Sequence, residues 1–99
     1  MVELIAIPYA ASRDSFLKLI GNLKIQHPEW QITDMGEFKT RKGSAHFHIQ
    51  SQNPQETGTL ELTYDPKLHG QLEIKLATNR AAKYGHVLKA AVLSFLVLQ

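Results

Sequence analysis

His46 and His48 are the residues whose type and spacing come nearest to chemistry. They alternate along a β-like stretch, Ser44 to Gln50, in which Ala45, Phe47 and Ile49 take the other parity. On an extended chain rising about 3.3 Å per residue, both imidazoles project to one side, with α-carbons roughly 7 Å apart. Metal sites use imidazoles at that spacing, completed by a further ligand such as a carboxylate. A hairpin turning at Lys42-Gly43 would place Glu37 opposite His48 and Lys39 opposite His46, which makes Glu37 the candidate third ligand. Two histidines on a solvated strand need no such role, and Lys39 beside His46 would repel a cation. The sequence therefore names His46, His48 and Glu37 as candidates and commits to no cofactor.

Other chemistry finds less support. Glu37, Glu61 and Glu73 fall on outward strand positions, where Lys39 and Lys75 are the expected partners across the sheet. Exposed pairs of that kind are worth under about 1 kcal/mol and mark no active site. Ser12, Ser15, Ser44, Ser51 and Ser94 sit in no nucleophile-elbow or triad context. The six glycines are dispersed, so no phosphate-cradling loop exists, and without cysteine there is no disulfide or thiolate ligand. No catalytic residue is assigned, and the reading leans away from an enzyme. A nucleic-acid face would be built from Arg41, Lys42, Lys67, Arg80 and Lys83, but acids share the outer sheet positions and the formal net charge is only +2.

The elements that must position these residues are marked by a change of period. Val2 to Ile7 reads as a strand stopped by Pro8, and Ser12 caps a helix running from about Arg13 to His27, ended by Pro28. Phe16, Leu19, Ile20 and Leu23 form its apolar stripe. From Trp30 to Ala77 the period is two. Trp30, Ile32, Phe38 and Thr40 share a parity, interrupted by Asp34-Met35-Gly36 as a bulge or a tight turn, and Phe38 is expected opposite Phe47 on the inner face. Leu60, Leu62 and Tyr64, then Leu72, Ile74 and Leu76, continue the inward set, with a turn from Asp65-Pro66 to about Gly70 between them. After a cap at Thr78 or Asn79, Ala81, Tyr84, Leu88, Ala91, Val92 and Phe95 recur at helical spacing to the end of the chain. A second apolar stripe, Ala90, Leu93 and Val97, lies opposite the first. One stripe packs on the chain's own sheet; the other is expected to meet a partner, most simply a second copy.

The 99 residues, 43% hydrophobic and 20% charged, suit one soluble globular domain spanning 1–99. No secretory signal is visible, and the apolar run Val87 to Leu98 is about half of what a bilayer requires, so a cytoplasmic protein without membrane contact is the default. Strand, helix, four antiparallel strands and helix together predict an α+β two-layer sandwich with both helices on one face of the sheet. That order resembles the β-α-β4-α arrangement of the TATA-binding-protein-like fold and, more loosely, a reduced Bet v 1 or START domain; the likeness spans the chain but rests on no motif. The expected function is protein–protein interaction or self-association through the C-terminal helix. The alternative is a binding module for a hydrophobic small molecule or nucleic acid.

Overall fold

A computed structural model describes residues 2–7, 12–76 and 84–98. The element order is β1 (Val2–Ala6), α1 (Arg13–Gln26), β2 (Trp30–Gly36), β3 (Ala45–Ser51), β4 (Leu60–Tyr64), a 3-10 turn (Pro66–Leu68), β5 (Gln71–Leu76) and α2 (Tyr84–Val97). The five strands form one antiparallel sheet in the order β1-β5-β4-β3-β2, so the class is α+β as the periodicities predict. The cap expected at Thr78 or Asn79, and Ala81 with it, lies outside the described residues.

Helix α1 begins where its sequence says it must. The Ser12 side chain accepts a hydrogen bond from the Ser15 backbone N–H at 3.1 Å, satisfying one of the donors a helix start leaves open. Its stripe of Phe16, Leu19, Ile20 and Leu23 is buried. Beyond its end the His27 ring stacks on Trp30 at 3.9 Å between centroids, and its Nδ1 meets Glu29 at 2.9 Å.

One parity of each central strand joins the same core: Ala45, Phe47 and Ile49 from β3, Leu60, Leu62 and Tyr64 from β4, Leu72 and Ile74 from β5. Phe16 sits 5.8 Å from the Phe47 ring and 5.7 Å from that of Tyr64, while α2 contributes Leu88, Val92, Phe95 and Leu96. Each such large apolar side chain gains about 1.5–3 kcal/mol from leaving water, which is what holds the strands in a single register.

Strand β2 departs from the expected hairpin. Its ladder with β3 pairs Ile32 with Ile49 and Thr33 with His48, then slips by a bulge between Asp34 and Gly36 so that Gly36 faces His46. The Asp34 carboxylate accepts from the Gly36 N–H at 2.8 Å, and Gly36 takes φ +79°, a left-handed conformation that costs an L side chain strain. The strand stops there. Neither Glu37 opposite His48 nor Lys39 opposite His46 is formed, and Phe38 is not opposite Phe47, because the turn at Gly36 takes the 37–44 segment out of the ladder.

Candidate metal centre

The parity opposite the core builds two rows across the sheet. Thr33, His48, Glu61 and Lys75 are successive neighbours in one, and Gly36, His46, Thr63 and Glu73 in the other. Strands about 4.8 Å apart bring side chains of adjacent rows and columns within reach of each other. Glu61 thus lies directly beside His48 and diagonal to His46.

Its Oε1 is 3.4 Å from Nε2 of His46 and 3.4 Å from Nε2 of His48, and one ligand atom from each of the three residues lies within 4.8 Å of the others. These separations are long for hydrogen bonds. They match the edge of a tetrahedron drawn around an ion whose ligands stand at about 2.0–2.2 Å, which is about 3.4 Å. His46 is 8% exposed, and its Nε2 is buried without a hydrogen-bond partner among the described residues. A buried imidazole nitrogen without a hydrogen bond costs desolvation energy, and here it faces the Glu61 carboxylate at 3.4 Å beside a second imidazole.

The 37–44 segment covers the His46 side of this cluster. The Phe38 ring stacks on the His46 imidazole, with centroids 4.3 Å apart and planes at 19°. The Arg41 guanidinium lies 5.4 Å from the centre of the Phe38 ring. Arg41 is itself anchored: Nε donates to Asp65 at 2.6 Å, and Nη1 and Nη2 donate to the two oxygens of Glu73 at 3.0 and 2.8 Å. The bonds to Glu73, then to Asp65, outweigh burial and raise the arginine pKa further above its ordinary value. Burial of Asp65 works against its charge, but the Lys67 backbone N–H and Arg41 overcome that and hold its carboxyl below the ordinary aspartate range. At the base of the loop, Phe38 N–H donates to the Ser44 hydroxyl at 3.0 Å and Ser44 N–H to the Arg41 carbonyl at 3.1 Å. The Lys42-Gly43 turn therefore exists, closing a roof in place of a hairpin.

Two of the three candidate ligands expected from sequence are brought together, and the third is replaced. Glu37 is exposed and its carboxylate accepts from the Gly43 N–H, so Glu61 takes the place given to it. Of the partners expected for the strand acids, Lys75 stands opposite Glu61 across the sheet but forms no ion pair among the described residues; Glu61 meets the two histidines, and Glu73 binds Arg41. Of the basic cluster, Arg41 is spent on two carboxylates, Lys42 and Lys67 are exposed, and Arg80 and Lys83 lie outside the described residues. On α2, Ala90 is exposed, Leu93 is half-buried against the core and Val97 is 82% exposed.

A cleft of about 240 Å³ opens beside Glu61, lined by Phe38, Arg41, Thr63, Glu73 and Lys75 as well. A second, of about 290 Å³, is formed by the 50–59 segment. No described helix is long and apolar enough to cross a membrane. No protein-family model matches the chain, and no curated protein or solved structure is significantly similar to it.

Proposed function

We propose that the protein binds one divalent transition-metal ion through His46, His48 and Glu61. The observation that carries this reading is the shared Oε1 of Glu61, at ligand-to-ligand distance from both Nε2 atoms. Two neutral imidazoles and a carboxylate suit Zn2+ or ferrous iron among the common dications, and three protein ligands leave a coordination position for water or another ligand. Phe38 excludes water from the His46 side, which strengthens every charge interaction within the cluster.

Competition between untagged apo-protein and a chromophoric chelator for Zn2+ tests the reading. One equivalent should bind with micromolar or tighter affinity. His48→Ala and Glu61→Ala should each weaken binding at least about tenfold, the lower bound already seen for residues outside the ligand set. Glu37→Ala should not. A wild-type protein that competes no better than Glu61→Ala, or an equal loss in Glu37→Ala, refutes it.

The finer architecture belongs with this proposal: both helices on one face, as in a TATA-binding-protein-like or reduced Bet v 1/START-like layering, leaving the histidine face free. Supporting it, Phe16 of α1 contacts the core side of β3 and β4, and Lys89 of α2 pairs with Glu3, which shares the core parity of β1. A second reading, self-association through α2, is favoured by Val87 and Val97, 53% and 82% exposed on one side of that helix. Leu93 packs partly into the core, so Val97→Glu is the cleaner substitution. It should convert a dimer to a folded monomer in sedimentation, and a wild type that is monomeric at tens of micromolar removes the reading.

A further inference from the structure

We infer that the open position of the metal-loaded site takes a small organic carboxylate, held by Lys75 in the cleft beside Glu61. The inference rests on the metal reading above and names the ligand class of that same site. Glu61 belongs to both structures, as a candidate ligand of the ion and as a wall of the cleft. Lys75 is its direct neighbour across β4 and β5, about one strand spacing away, and lines the same cleft.

The two cations of the cleft are in different situations. Arg41 spends three N–H donors on Asp65 and Glu73, whereas Lys75 is exposed and forms no ion pair with a described residue. Arg41 holds the wall; Lys75 is free to meet a ligand. With Asp65 behind Arg41, the charged side chains of the region carry one excess negative charge before an ion binds. A dication reverses that sign, so an anion is repelled by the apo cleft and attracted by the loaded one. The Phe38 ring and the hydroxyl-bearing Thr63 complete the walls. An aromatic wall favours an anion that carries an apolar body over an inorganic oxyanion. At about 240 Å³ the cleft admits a molecule of benzoate size.

The protein loaded with Co2+, whose visible absorption reports its ligands, is titrated with benzoate and with its uncharged counterpart benzamide. Benzoate should change the Co2+ spectrum saturably and benzamide should not, and apo-protein should give no binding heat with benzoate. Lys75→Met should weaken benzoate at least about tenfold, with Co2+ affinity within about threefold of wild type. Equal binding of benzamide, equal benzoate affinity in Lys75→Met, or release of Co2+ by benzoate overturns the inference while leaving the metal reading in place. Failure of the protein to bind Co2+ or Zn2+ overturns both.

Discussion

Arg41→Met isolates the anchor that holds the loop over the histidines. Methionine keeps much of the stem volume and removes three charge-assisted hydrogen bonds, at 2.6, 2.8 and 3.0 Å. Asp65, with a side chain 5% exposed, keeps only the Lys67 N–H as a donor among the described residues, while Glu73 is 22% exposed and can recover some hydration. Breaking a fully buried pair costs about 3–5 kcal/mol, and an exposed pair about 0–1. With the Arg41 side chain 28% exposed, the loss should fall between, at about 2–3 kcal/mol. With a urea slope near 1 kcal/mol/M, the unfolding midpoint at pH 7 should drop by about 2 M or more. Acid should erase part of the difference. Asp65 has a folded-state pKa below the ordinary 3.8, so its contribution is complete above that value and is lost as pH falls through the lower, folded value. The gap between wild type and variant should therefore narrow as pH falls below the ordinary aspartate value and through the lower, folded one. A loss below about 0.5 kcal/mol at pH 7, the ordinary scatter of surface substitutions, refutes the account of this network. A gap that stays constant into acid refutes the role given to Asp65.

Two further outcomes follow from the same geometry. Gly36→Ala places a β-carbon where no atom lies within 4 Å, so its cost is backbone strain alone, about 1–2 kcal/mol in chemical unfolding; a neutral result would show that the turn is not held left-handed. Zn2+ at a hundredfold excess over its dissociation constant should stabilise the wild type by about 2.7 kcal/mol, a thermal shift of at least roughly 10 °C, and Glu61→Ala should lose most of it. Equal shifts in both proteins would place the ion elsewhere.

The sequence was most legible where burial dictates a period. The α1 stripe, the Ser12 cap and the inward residues of β3, β4 and β5 could be read directly, because one-sided burial enforces spacings of 3.6 and 2. Phe38 misled because an aromatic residue at the right parity reads as a continuing strand. Its ring instead finds an imidazole on the other face, once Gly36 has turned the chain. Asp34-Met35-Gly36 was the local warning, since an Asp two residues before a glycine makes such a turn by bonding to the backbone. Glu61 was missed for a different reason. Side-chain alternation fixes which face a residue takes but leaves register free to slip by two, and the long 52–59 connection imposes no turn geometry that would choose among the slips. Only the ladder between β3 and β4 shows Glu61 opposite His48. The Arg41 anchor, spanning segments far apart in the chain, left no local trace at all.

The three candidate ligands project from β3 and β4, each flanked by a strand on both sides, whereas Phe38 and Arg41 ride on a connection between strands. Interior backbone opens only when the whole domain does, while a surface connection can open alone. Under the proposed metal reading, the ligands and the segment over His46 would therefore open at different free energies. Under that reading, lengthening or shortening the 37–44 segment should change how fast an ion enters and leaves more than how tightly the three ligands hold it.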